Sequence, residues 1–317
     1  MEIGLFLHYG AQVFAVGIAT CGGSLGEGMA AARGLEAMNR QHLGIEAIFK
    51  AMVIGLALIE TGSILTLVLA LLLLFTTTGA VTTPMGIAEC GIALAIGVSS
   101  FVVGIASSCA VQGGSESIAR QPFFAQKILI LQVIIQSIIE SPVLFSFVIG
   151  ILIFNQISPT IELPDAIRLL AAGVTIGFGS IGPAIGQMQF SKAACRAIGI
   201  SKTAYSKLFS FSLLSETFIE TPIIFCLLIS FLLLFFVESN DSLLSMICKI
   251  TGAGTVAIGI MGPSIAIGRV TAQGCTQIAQ NQDHYSLIVR STFMAAGFID
   301  SSAIYSLIIA LLLIVYV

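Results

Sequence analysis

Eight long apolar stretches, separated by short polar ones, pattern this chain from end to end. They run over about 3–32, 51–77, 85–112, 128–154, 166–190, 208–237, 246–271 and 288–317. Each is longer than the ~20 mostly apolar residues that a helix needs to cross a bilayer. A helix satisfies its own backbone polar groups, so it is the natural spanning element in hydrocarbon. The pattern predicts an all-α membrane protein with eight transmembrane helices. The polar intervals alternate in character. Those near 33–50, 113–127, 191–207 and 272–287 carry charge, whereas 76–84, 155–165 and 238–245 are short and nearly free of Lys and Arg. The helices therefore pair into four tandem hairpins, residues 1–80, 81–160, 161–240 and 241–317.

A period of 80 residues runs through the pairs. Self-similarity at a fixed period marks a repeat architecture. Acids stand at Glu60, Glu140, Glu220 and Asp300, each followed by a hydroxyl: Thr61, Ser141, Thr221 and Ser301. Gly17, Gly97 and Gly177 share one register, with Ala257 in the fourth copy. Most of the 32 glycines fall in the first helix of each pair, as in GIATCGGSLGEG (17–28) and GFGSIGPAIG (177–186). The second helices carry the acid and bulky Leu, Ile and Phe. Small residues let helix backbones approach closely in lipid. This asymmetry suits a ring, with thin helices on an inner circle and bulky ones outside.

Composition fits that picture. Hydrophobic residues make up 57% of the chain and charged residues 9%, against about 25% charged in soluble domains. Mean hydropathy is +1.05, so lipid must solvate the surface. A net charge of -3 gives no basic signature for nucleic acid. Arg33, Arg40, Lys50, Arg120, Lys127, Lys192, Arg196, Lys202, Lys207, Arg269 and Arg290 lie at the turns within hairpins, and only Arg168 and Lys249 lie near the opposite side. That bias predicts cytoplasmic turns and both termini outside. With no Trp and 5 Tyr, aromatic anchoring at the interfaces is weak. The opening MEIGLF has no basic region, so the first segment reads as a mature helix rather than a secretory signal. The 7 cysteines show no metal spacing and read as small packing residues. His8, His42 and His284 read as interfacial.

The four acids carry the chemistry. Each lies 10 or 13 residues beyond the last basic residue of its turn (Lys50, Lys127, Lys207 or Arg290). At about 1.5 Å per residue this is roughly 15–20 Å, near mid-bilayer. A bare charge there costs at least about 2.5–3.5 kcal/mol, so each acid needs a proton, a cation or a basic partner. Four acids in register point to reversible ion loading. One charge crossing 100 mV is worth about 2.3 kcal/mol, so four carriers transduce about 9 kcal/mol in one pass.

Three motifs add a resemblance. GPAIGQ (182–187) resembles the Gly-rich inner-helix motif of the c-ring proteolipid of F-type ATP synthases. ARQP (119–122) matches that family's polar-loop signature, and NRQH (39–42) nearly matches it. DSSAIYSLIIALLL (300–313) looks like the outer helix of its sodium-type members. The whole chain looks like that proteolipid repeated four times.

The resemblance implies a non-catalytic rotor subunit of an ATP synthase in a bacterial inner membrane. Copies form a ring in lipid, and the ring turns against a stator subunit whose arginine pairs transiently with each carboxylate. Polar loops grip the central stalk, here through Arg40, Gln41, Arg120, Gln121 and Pro122. Loops 3 and 4 depart from the motif, with ISK (200–202) and QNQ (280–282) in its place. No cofactor is implied, only a transported H+ or Na+. In sodium-type members an inner-helix Gln, the acid and the following hydroxyl cage the ion. The inner position here is Glu27, Ser107, Gln187 and Ile267. Ile267 has no side-chain ligand and favours a proton, while a Glu27 site holds two acids. Gln136 and Glu216, one turn before their acids, add hydrogen bonds or packing. Pro142 and Pro222 are expected to kink their helices. Two other readings remain at this point: the proteolipid of a V- or A-type ATPase, and a secondary transporter with internal repeats.

Overall fold

A computed structural model describes residues 2–76, 81–237 and 243–316, with side chains of the last stretch from residue 247 onward. All regular structure among the described residues is helical. Eight helices among the described residues are long and apolar enough to span a membrane: α1 (Glu2–Arg40), α2 (His42–Thr76), α3 (Thr83–Arg120), α4 (Pro122–Gln156), α5 (Leu163–Ile200), α6 (Lys202–Phe235), α7 (Ile247–Gln280) and α8 (Gln282–Tyr316). They pair as four hairpins. The boundaries drawn at 80/81 and 240/241 fall on or beside residues outside the described set.

The turns within hairpins are far tighter than the polar intervals suggested. One non-helical residue (Gln41, Gln121, Ser201 or Asn281) leads straight into a single 3-10 turn that opens the second helix. A helix of 34–39 residues is about 50–60 Å long, well beyond the ~30 Å hydrocarbon core. The charged intervals are thus helix projecting into water. Polarity marks where the membrane ends, not where the helix ends.

The first helices α1, α3, α5 and α7 pack side by side in a row. Each of α2, α4 and α6 lies against its own first helix and the next one along, forming a second layer. Many hydrogen bonds between hairpins join residues about one period apart. Arg196 Nε and Nη2 donate to Glu116 at 2.5 and 2.6 Å, Lys192 Nζ to Gln112 at 2.8 Å, and Arg269 Nε to Gln189 at 3.2 Å. Equivalent positions face one another, as a direct repeat requires. An inverted-repeat transporter would not show this register.

Glycine sets the spacing of the first row. A Cβ on Gly173 would run into the backbone of Gly91, and one on Gly268 into that of Gly186. The six glycines whose added Cβ would meet nothing within 4 Å are Gly10, Gly17, Gly28, Gly254, Gly262 and Gly297, all in the first and last hairpins. The row therefore ends in two faces that no described residue covers in these places.

Arg168, one of the two cations on the far side, has a local role. Its Nη1 donates to the carbonyls of Val237 at 2.9 Å and Leu234 at 3.1 Å. It closes the C-terminus of α6, where orphan carbonyls favour a cation. His8 is buried between helices, with Nδ1 2.8 Å from Oε2 of buried Glu89 across the first two hairpins.

Candidate functional site

All four periodic acids lie midway along second helices, at one depth. At Glu60 and Glu140 a single residue departs from regular helix, while its N–H still bonds the carbonyl four residues back, at 3.2 Å in both. Each backbone N–H there is shared between two carbonyls, Leu56 and Leu58 for Glu60, and Gln136 and Ile138 for Glu140. Glu220 and Asp300 sit in unbroken helix. Pro142 follows the irregular residue Glu140, whereas Pro222 lies inside an uninterrupted helix. Hairpin 1 has its irregular residue without a proline, having Gly62 two residues past its acid. The same departure occurs at Ser180 and Ile260 in α5 and α7, three residues before Pro183 and Pro263, where the imide nitrogen removes a helical donor.

The acids do not share one environment. Glu60 is exposed, Glu140 is 6% exposed, and Glu220 and Asp300 are intermediate. Neither oxygen of Glu140 has a hydrogen-bond partner, and Oδ1 of Asp300 is likewise buried and unpaired. Burial without a partner costs roughly 1–3 kcal/mol per group. Such oxygens are poised for an ion or proton.

The expected inner-helix neighbours are brought in unevenly. Glu27, half-buried on α1, is close enough to Glu60 for the two charges to interact. Ser107 stands near Glu140 and also accepts from Gln136 Nε2 at 3.2 Å. Gln187 is buried beside Glu216. Ile267 is buried and apolar.

The hydroxyls behave similarly. Ser141 donates to Oε1 of Glu220, the acid of the following hairpin. Thr221 and Ser301 instead bond backbone carbonyls of their own helices, at 2.7 Å to Thr217 and 2.6 Å to Phe298. Thr61 makes no side-chain hydrogen bond among the described residues. So one hydroxyl of four bonds a carboxylate, and it does so across the hairpin boundary. Among the described residues no cluster of three or more His, Cys, Asp or Glu could hold a metal ion.

At the turns, Arg40 donates to Glu36 in its own helix, and Gln41 Oε1 accepts from the Leu43 N–H at 3.4 Å. Arg33, Glu36, Arg40, Glu116 and Arg120 line one polar cavity between the first two hairpins. Gln121 Nε2 reaches the Gly199 carbonyl at 3.5 Å, and Pro122 opens α4. The divergent loops 3 and 4 are tied to each other. Gln282 Nε2 donates to Ser201 Oγ and Thr203 Oγ1, both at 2.7 Å, and Lys207 Nζ to the Gln282 carbonyl at 3.0 Å.

Gln136, expected to add hydrogen bonds or packing, does bond, and Gln132, which the sequence reading missed, bonds in the same way. Both side chains are fully buried on α4 and donate to the Ala51 and Gly55 carbonyls, at 3.0 and 3.2 Å. The signal is in the spacing, because each pair is 81 residues apart, as are His8 and Glu89.

Known proteins match in the same fourfold way. The sequence profile of the ATP synthase c-subunit family matches at residues 11–73, 90–153, 170–233 and 251–313, most of the chain. The ATP synthase c-subunit of Dehalococcoides mccartyi is 42% identical over 71 residues, 22% of this chain and 93% of the relative. ATP synthase c-subunit 2 of Cereibacter sphaeroides is 50% identical over 62 residues, 20% of this chain and 75% of the relative. The ATP synthase c-subunit of Prochlorococcus marinus is 34% identical over 74 residues, 23% and 91% respectively. Each of these relatives is about one hairpin long.

Proposed function

The chain belongs to the ATP synthase c-subunit family, as a c-ring rotor subunit of an ATP synthase, and we propose that Glu60, Glu140, Glu220 and Asp300 are its four ion carriers. It is a multi-pass membrane protein of four fused hairpins. The observation that carries the proposal is the depth and period of the acids. Each lies midway along a second helix, and two of them keep buried oxygens without a partner.

The carried ion is H+ or Na+. A proton needs one oxygen, which every site has. The Glu27–Glu60 pair sets two carboxylates from facing helices close together, a place where a hard cation fits. Ser141 supports sites built between hairpins, since it reaches Glu220 across that boundary. By the same geometry Glu60, the exposed acid of the first hairpin, is completed by Ser301 of the fourth hairpin of another copy. The uncovered glycines at the two ends support such a junction.

Within the complex, a stator arginine pairs with each carboxylate in turn, and the central stalk is gripped by Arg40, Gln41, Arg120, Gln121 and Pro122. The turns lie in the cytoplasm of a bacterium and the termini outside the inner membrane. The catalytic work on ATP is done by other subunits.

Single replacements Glu60→Gln, Glu140→Gln, Glu220→Gln and Asp300→Asn in the reconstituted synthase test the assignment. Each is expected to lower ATP-driven ion uptake into vesicles sharply while leaving assembly intact. Uptake unchanged in any one of them removes that residue from the carriers.

A further inference from the structure

A fifth carboxylate, Glu216, stands in the membrane one helical turn before Glu220. It is fully buried, and neither of its oxygens has a hydrogen-bond partner. Gln187 of α5 lies beside it, also fully buried, with neither its amide oxygen nor its nitrogen bonded. More than nine in ten buried polar groups are normally paired. Four orphaned atoms on two adjacent side chains therefore call for a physical account.

The repeat supplies the control. In hairpin 2 the equivalent positions are Gln136 and Ser107, and they close on each other at 3.2 Å. In hairpin 4 they are Ala296 and Ile267, both apolar and buried. Hairpin 1 has Leu56 and Glu27. Only hairpin 3 sets an acid against an amide.

The chemistry of that pair decides how it is satisfied. An ionised carboxylate has only acceptors, so it cannot satisfy the Gln187 amide oxygen. The acid form adds one O–H donor. That O–H donates to Gln187 Oε1 while Gln187 Nε2 donates to the other carboxyl oxygen. One proton thereby satisfies all four atoms and leaves the pair neutral, as apolar surroundings require. The other groups acting on Glu216 are Glu220 on its own helix, Cys195 on α5 and Cys275 on α7. None of them is a base that would hold it ionised. A cation would find just three oxygens on these two side chains.

We propose that Glu216 is a resident acid that keeps its proton through rotation and pairs with Gln187 through two hydrogen bonds, withdrawing that amide from the hairpin 3 ion site. Glu220 then carries a proton, because the amide ligand of a sodium cage is engaged elsewhere. This second part rests on Glu220 being a carrier, whereas the acid–amide pair stands without it. Glu216 is a positioning residue. It touches Gln187 and does not load the transported ion.

Infrared spectroscopy of the purified ring tests the pair. The wild type minus Glu216→Gln difference is expected to show a protonated-carboxyl C=O band that persists at alkaline pH and in sodium, and that shifts in Gln187→Leu. Absence of that band, or its loss when sodium is added, overturns the proposal. Carbodiimide labelling of Glu220 tests the second part. Sodium is expected to leave labelling unchanged in wild type and to slow it several-fold in Glu216→Leu, which places at 216 the residue hairpin 1 has at 56. Sodium protection already present in wild type, or none in the variant, overturns that part. If Glu220 never labels, the carrier reading fails while the infrared band still decides the pair. Should Glu216→Leu not assemble, Glu216→Gln, which keeps two amides in contact, leaves the infrared test intact.

Discussion

Gly17 is where assembly and folding separate. A Cβ built there meets nothing within 4 Å. Its equivalents one and two periods on are packed: a Cβ on Gly97 would lie 3.2 Å from Cα of Ala15, and one on Gly177 would strike the backbone around Leu94. In both cases the obstacle is the first helix of the preceding hairpin. No described residue supplies that helix for Gly17, and in the proposed junction it is α7 of another copy. The fourth copy has Ala257 at this register, buried, so one methyl fits and a larger side chain does not. Gly17→Ala is therefore expected to assemble. Gly17→Leu forces backbone apart at every junction, and overpacking of this kind costs about 1–3 kcal/mol. At tenfold per 1.4 kcal/mol that is roughly 5- to 150-fold per junction, compounded around a closed ring. Within one chain the leucine points into open space, so its effect on folding is expected within about 0.5 kcal/mol. Native mass spectrometry in mild detergent reads the ring, and circular dichroism reads the fold. Helical but unassembled Gly17→Leu chains fit the account. Rings as abundant and as heat-resistant as wild type would refute it.

Three further outcomes follow from contacts elsewhere. Arg168→Met leaves the Leu234 and Val237 carbonyls without their donor and is expected to cost about 1–3 kcal/mol, read as a lower unfolding temperature. Gln136→Leu removes the bonds to Gly55 and Ser107 at about 1–2 kcal/mol, and it is expected to change the carbodiimide reactivity of Glu140 but not of Asp300. A double-mutant cycle on Glu116 and Arg196, whose side chains are 16% and 40% exposed, is expected to give a coupling of no more than about 1 kcal/mol that shrinks in high salt. A larger, salt-independent coupling would contradict the water-facing placement of that pair.

The helices and their pairing were legible in the sequence because bilayer thickness and a strict period leave little freedom. Turn length was not, since Arg33 to Lys50 reads as loop by polarity yet is mostly helix. The four acids were legible for the same reason as the repeat. Their ligands were not. Gln187 occupies the expected inner position, yet it lies beside Glu216, and nothing in a one-dimensional register fixes which of two carboxylates one turn apart an amide meets. Thr61, Thr221 and Ser301 share their register with Ser141, yet only Ser141 reaches a carboxylate, because a hydroxyl on a helix can also bond its own backbone. His8 and Glu89 form a buried pair that the sequence reading did not connect. Their separation of 81 residues was the available clue.

Carbodiimide modification of the purified ring at neutral pH, mapped residue by residue with and without sodium, tests the central claim most directly. The account predicts adducts at Glu60, Glu140, Glu220 and Asp300, all four in one chain. Failure of these four to label, or labelling spread over other membrane-embedded acids instead, would contradict it.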